Sequence, residues 1–95
     1  MASHRMANLR AAMVLDIFLK ERREVFDKES MTYYDFAIEE AKDALLSKRY
    51  EKAPLEILWS LLERYDRYAH SRQSRVFKIC SAAIDDAIDF LLTMH

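Results

Sequence analysis

Apolar residues recur along the chain at spacings of three and four, the period of an amphipathic helix, and no segment alternates as a half-buried strand does. This pattern predicts an all-α protein with four helices, near residues 4–28, 33–49, 54–70 and 73–94. Because the connections between them are short, we expect antiparallel neighbours in a compact four-helix bundle. Helix 1 is predicted to be the longest of the four.

The first predicted helix is apolar around nearly its whole circumference. One side of the helix carries Met6, Leu9, Met13 and Ile17. The rest of its circumference carries Val14, Leu15, Phe18, Leu19 and the alanines. Only Asp16 interrupts the ring. A helix with apolar residues on all sides needs neighbours on several sides. Helix 1 is therefore either the central helix of the bundle or an element shared within a homodimer or tight heteromer built around residues 9–19.

Local signals place the ends of the helices. Ser3 is a candidate N-cap for helix 1, and Thr32 is a candidate cap for helix 2, with Asp35 three residues on as an approximate capping box. Pro54 suits the first position of helix 3. Ser71 or Ser74 is expected to cap helix 4.

The remaining three helices each carry one apolar face. These faces are Tyr34, Ala37, Ile38, Ala41, Ala44 and Leu45 in helix 2; Leu55, Ile57, Leu58, Leu61, Leu62, Tyr65, Tyr68 and Ala69 in helix 3; and Val76, Phe77, Cys80, Ile84, Ala87, Ile88 and Leu91 in helix 4. Trp59 lies at the border of the helix 3 face. Tyr65, Tyr68 and Phe77 are predicted to point inward.

The composition is that of a small globular protein, with 95 residues, 52% of them apolar and 33% charged, and a net charge of −1. We expect a single domain over residues 1–95, of which residues 1–5 are disordered or not native. The chain has no glycine, which excludes the phosphate-binding P-loop and the dinucleotide fingerprint. A lone cysteine, Cys80, and the absence of a membrane-length apolar run favour the reducing cytoplasm.

No residue pattern indicates catalysis, a metal or another cofactor. Asp85, Asp86 and Asp89 fit the Asp-Asp-x-x-Asp motif and resemble the magnesium site of prenyl-diphosphate synthases, but the second acidic motif of those enzymes is missing. A solvated helix face is the favoured interpretation, and the same holds for the acids of helix 2. Cys80 lies in an apolar stripe without a nearby histidine, where a thiol is inert.

Residues 64–78 form a basic corner, with five Lys and Arg against Asp66. Nucleic-acid binding there would use Arg64, Arg67, His70, Arg72, Gln73, Arg75 and Lys78. Of these, Arg72, Gln73 and Arg75 would contact bases or phosphates at the start of helix 4, as recognition-helix N-termini do. The spacing of Arg64 and His70 resembles the Arg-x4–6-His motif of HEPN-domain ribonucleases, small helical proteins that cut RNA as dimers. That resemblance implies a ribonuclease in which these two residues are catalytic. The favoured interpretation is a solvated bend between helices 3 and 4.

These patterns favour a small helical protein–protein interaction module, such as a regulator, inhibitor, antitoxin or accessory subunit, rather than an enzyme. The expected partner is another protein or a second copy of the chain, with a homodimer preferred. The predicted partner-binding residues are Met13, Leu15, Phe18, Leu19 and Trp59, because large apolar and aromatic side chains dominate interfaces. Nucleic-acid binding or HEPN-like cleavage remains the alternative, and no membrane is expected as a partner.

Overall fold

The computed structural model describes residues 4–22, 28–47, 52–70 and 74–93. Within these ranges the chain forms four helices and no strand, which confirms the all-α bundle predicted from the sequence. The helices are α1 (Arg5–Arg22), α2 (Lys28–Leu46), α3 (Pro54–Ala69) and α4 (Arg75–Thr93).

The starts of α3 and α4 agree with the local signals. Pro54 is the first residue of α3. It follows Ala53, which has an extended backbone and makes no capping hydrogen bond with its side chain. Ser74 precedes α4, and its carbonyl oxygen accepts a hydrogen bond of 2.8 Å from the amide of Lys78. Two other candidate caps, Ser3 and Ser71, lie outside the described residues.

The predicted boundary between the first two helices is wrong. α2 begins at Lys28, so Thr32 lies inside it, where its hydroxyl donates to the carbonyl of Lys28 at 3.0 Å instead of capping the helix. α1 has 18 residues against 19 in α2 and in α4, so helix 1 is not the longest. Most residues between Lys20 and Glu29 are charged, and none is glycine or proline, so the sequence pattern shows no break there.

The centre of the bundle is the contact between α2 and α4, while α1 and α3 scarcely meet. Tyr34 of α2 and Cys80 of α4 each bond across this contact. Four fully buried alanines follow them at helical spacing on the same sides of the two helices: Ala37 and Ala41 of α2, and Ala83 and Ala87 of α4. Their small side chains let two helix backbones approach closely. α1 packs on one flank of this pair, so it is not the central helix, which was one of the two alternatives for its apolar ring.

Contacts between side chains show antiparallel packing within two helix pairs. Between α1 and α2, Asp16 pairs with Lys42 and Phe18 stacks on Tyr34. The residue numbers therefore increase along α1 in the direction in which they decrease along α2. Along α3 and α4, Asp66 accepts a hydrogen bond from Ser81, while Tyr68 contacts Phe77 with ring centroids 5.1 Å apart. The antiparallel prediction holds for these two pairs.

Polar atoms at the edge of the core are bonded across helices. The hydroxyl of Tyr34 donates to Asp86 at 3.1 Å, and the hydroxyl of Tyr65 donates to Glu40. The thiol of Cys80 lies 3.7 Å from the carbonyl oxygen of Tyr33, and burial raises its pKa, consistent with an inert structural cysteine. Asp86 therefore belongs to the packing of α2 against α4 and is not simply part of a solvated face.

We predict that Tyr65→Ala lowers the free energy of unfolding by about 2–4 kcal/mol, because it leaves a cavity in the core and removes the hydrogen bond to Glu40. Arg75→Ala, at an exposed position in the first turn of α4, should change it by less than about 0.5 kcal/mol. Chemical denaturation of both variants measures the difference. Similar losses in the two would contradict this assignment of core and surface.

Candidate interaction surface

The outer face of α1 carries a row of large apolar side chains in contact with solvent. Met6 is 70% exposed, Leu9 44%, Met13 61% and Ile17 49%. Their spacings of three, four and four residues align them along one side of the helix. We call these four residues the outer stripe.

The opposite side of α1 faces the core. Leu15 and Phe18 are fully buried and Leu19 nearly so, with Phe18 packed between Tyr34 and Phe90. These three residues of α1, predicted to bind a partner, are committed to the core of their own chain and cannot reach a partner docked on the surface. Of the predicted partner-binding residues, only Met13 and Trp59 are exposed.

Leu46, near the end of α2, extends the apolar surface beyond α1. The ion pair between Lys42 and Asp16 fixes which side of α2 lies against the edge of the outer stripe. Leu46 follows Lys42 by one helical turn on that same side and is 53% exposed. Since the two helices are antiparallel, it lies toward the middle of the outer stripe.

Charged residues flank the outer stripe on both edges. Arg5 and Asp16, eleven residues apart, lie about 20° apart around the helix and share the edge next to α2. Arg10 and Glu21, also eleven apart, share the other edge. Lys42 bonds Asp16 and, at 3.0 Å, Glu39, and the bond to Asp16 is the main reason that the pKa of Lys42 is raised.

Two other exposed aromatic residues lie away from the outer stripe. Trp59 is on α3, which scarcely touches α1. Phe36 is 60% exposed on α2, about 120° around that helix from Lys42, the residue that contacts α1. Neither can be continuous with the outer stripe across these helices.

The basic corner does not bring its residues together around one centre. Arg64 points toward α2, where its guanidinium lies 3.5 Å from Glu40. His70 instead lines a shallow groove between α3 and α4, with Asp66, Lys78 and other residues. Arg64 and His70, the pair required by the HEPN-like interpretation, thus contact different neighbours.

The remaining residues of the nucleic-acid alternative fall into two groups. Arg67, Arg75 and Lys78 are exposed, in agreement with the solvated-bend interpretation. Arg72 and Gln73 lie outside the described residues.

The aromatic residues of the corner are only partly turned inward. Tyr65 is buried and Phe77 is half-buried, as predicted. Tyr68 is 50% exposed, so the prediction that it points inward is wrong. It covers the face of Phe77 instead, because its place at the rim of the helix 3 arc leaves half of its surface outside the core.

Asp85 of α4 lines the groove together with Asp66 of α3. Burial, together with the negative charges of Asp89, Asp86 and Asp66, raises the pKa of Asp85. In the part of the chain that the structure describes, no three acidic, histidine or cysteine side chains are grouped so as to hold a metal ion.

Two further results bear on the class of protein. Among the described residues, no helix combines the length and hydrophobicity needed to cross a membrane. The chain matches no family model, and neither the curated proteins nor the solved structures contain a significant match to it.

The partner-binding residues predicted from the sequence did not include Met6, Leu9, Ile17 or Leu46, although Leu9 and Ile17 lie within the range 9–19 predicted for the homodimer. The signal for the first three was present, since they share one side of helix 1 with Met13. Which of the two apolar sides faces the core could not be read from α1 alone, because both sides contain large apolar residues at helical spacing.

We predict that the buried Tyr65–Glu40 pair makes stability fall in alkaline solution. Burial first, and then the hydrogen bond and charge of Glu40, raise the pKa of Tyr65 well above its usual value. The stabilisation that the neutral Tyr65 provides is complete below pH ~10, where tyrosine in the unfolded chain is still neutral. It is lost as the pH rises from there toward the pKa of Tyr65 in the folded protein.

Tyr65→Phe removes this ionisation while keeping the ring. Its free energy of unfolding should therefore fall less steeply than that of the wild type between about pH 10 and about pH 11, by up to about 1.4 kcal/mol per pH unit. Denaturation curves at several pH values measure both slopes. Parallel slopes would show that Tyr65 titrates normally.

Proposed function

We propose that this chain is a small helical protein–protein interaction module and that the outer stripe of α1 is its contact surface. The observation that supports it is the presence of four large apolar side chains, 44–70% exposed, in one row on a helix whose other side already supplies the core. Scattered exposed apolar residues are ordinary, but a contiguous patch on a small protein marks an interaction site.

The size of the surface fits this role. The outer stripe and Leu46 together are comparable with the largest apolar patches on typical monomers, about 300–600 Å². Apolar area removed from water contributes about 25 cal/mol per Å² before the costs of association are subtracted. The patch can thus act as the apolar centre of an interface.

Self-association as a homodimer is the form of interaction that we propose for it. One half of the apolar ring of α1 packs within the chain, through Leu15, Phe18 and Leu19. The outer stripe is the other half, and it faces solvent. A shared helix was the second alternative for this ring. A regulator, inhibitor, antitoxin or accessory subunit would each use such a module, and the buried, unreactive Cys80 suits a cytoplasmic location.

A charge at the centre of the outer stripe should prevent association. Met13→Lys places an ammonium group in the apolar contact, where its desolvation is unfavourable, and should weaken the dimer at least about tenfold. Phe36→Lys is the matched control, since Phe36 is exposed to the same extent but lies off the stripe, and it should leave the dimer unchanged. Light scattering over a concentration series measures the masses.

Circular dichroism should show the same helix content in both variants, because neither side chain is in the core. A wild-type monomer at high micromolar concentration would reject self-association. Equal weakening by Met13→Lys and Phe36→Lys would reject the outer stripe as its site.

A further inference from the structure

We propose that the second copy docks on the outer stripe with its α1 antiparallel, about a two-fold axis at the level of residues 11–12. This inference rests on the proposed function and adds the orientation and register of the partner helix. Three properties of α1 support it: the spacing of the stripe, the placement of charges on its edges and the size of the apolar patch.

The spacing of the outer stripe is self-complementary in the antiparallel sense. In an antiparallel pair related by a two-fold axis, residues that lie opposite each other have numbers with a constant sum. Positions 6 and 17 add to 23 and positions 9 and 13 add to 22, so a single axis brings Met6 opposite Ile17 of the second copy and Leu9 opposite its Met13. Each pair would lie within about one residue rise, ~1.5 Å, of the same level. An interface related by a two-fold axis requires such reciprocal pairs.

The edge charges favour the same arrangement. When two identical helices pack face to face and antiparallel, each edge lies beside the same edge of the second copy. The edge next to α2, which holds Arg5 and Asp16, therefore lies beside the equivalent edge of the second copy. With the axis at residues 11–12, Arg5 comes within about two residue rises, ~3 Å along the axis, of Asp16 of the second copy. The two-fold axis makes this opposite-charge contact twice. On the other edge Arg10 approaches its own copy, and both side chains can extend into water.

A parallel pair would be less favourable. Opposite edges then meet, which brings Arg5 toward Arg10 of the second copy and Asp16 toward its Glu21, each about five residue rises, ~7.5 Å, along the axis. Both contacts join like charges. Asp16 also attracts Arg10 of the second copy, but over about six residue rises, ~9 Å, which is farther than the ~3 Å of the antiparallel contact. The helix dipoles also repel in a parallel pair and attract in an antiparallel one.

The area also fits a second copy. A stable complex buries about 800 Å² on each partner, of which the apolar centre is only a part and the polar rim the remainder. The outer stripe and Leu46 together are large enough to form such an apolar centre. The charged residues on both edges of α1 would form the polar rim around it. When two helices pack, the row of side chains on one fits into the groove beside the equivalent row on the other, so two copies of the outer stripe can interdigitate.

Disulfide cross-linking distinguishes the two orientations. In a Cys80→Ser background, which removes the natural thiol, chains with Met6→Cys and chains with Ile17→Cys are prepared with different mass tags. We expect a disulfide between the two kinds of chain when they are mixed and oxidised, and little within either kind alone. Glu63→Cys, exposed on α3, serves as the control for random collision and should cross-link with neither.

Each result decides a separate point. Cross-links within the Met6→Cys chains alone and within the Ile17→Cys chains alone would show a parallel pair, overturning the orientation while keeping the stripe as the interface. A dimeric mass by light scattering without cross-links above the Glu63→Cys level would overturn docking through the stripe altogether. A monomeric mass would overturn the proposed function together with this inference.

Exchange of the edge charges provides a second measurement. Arg5→Glu should weaken the dimer about tenfold at low salt, because it replaces two attractions by two repulsions. Asp16→Arg also removes the ion pair with Lys42 of the same chain, so the double variant Arg5→Glu and Asp16→Arg is compared with Asp16→Arg alone. Arg5→Glu should strengthen the dimer when Asp16→Arg is present, although it weakens the wild-type dimer. A weakening of the same size in both backgrounds would overturn the pairing of Arg5 with Asp16.

Discussion

The close packing of α2 against α4 is the constraint on which the rest of the bundle depends. Ala37 and Ala41 on one helix and Ala83 and Ala87 on the other leave little side-chain bulk between the backbones. A four-helix arrangement with one short diagonal must have one long diagonal, and α1 and α3 occupy its ends. Each outer helix then touches the centre with one side only. The exposed position of α1 follows from this arrangement of the other helices.

The two sides of α1 consequently have different tasks although their compositions are alike. Leu15 and Phe18 pack in the chain's own core, whereas Met6 and Met13 lie in the exposed row on the opposite side. Methionine suits that row because its flexible, polarisable side chain adapts to a partner surface. Substitutions in the two rows of this 18-residue helix should therefore separate folding from the proposed association.

Much of the fold could be predicted from the sequence, and the part that could not has a definite physical origin. Pro54 and Ser74 act locally, so the starts of α3 and α4 were readable from neighbouring residues. The boundary between α1 and α2 was not, because helix-forming charged residues continue through it. The candidate surface was half predicted. Periodicity showed that α1 had more apolar residues than one face needs, but the side that remains outside depends on the packing of Phe18 against Tyr34 and Phe90 of other helices.

Asn8 gives the start of α1 a distinct character. It is buried, its amide nitrogen reaches the carbonyl oxygen of Lys52 only at 3.4 Å, and its side-chain oxygen has no hydrogen-bond partner among the described residues. An unsatisfied buried acceptor costs about 1–3 kcal/mol, so the first turns of α1 should open before the rest of the bundle unfolds. Those turns also carry Met6 and Leu9. In the proposed dimer a second copy covers these turns, so amide hydrogen exchange at the start of α1 would slow as protein concentration rises, and digestion by a protease would become concentration-dependent at the same place.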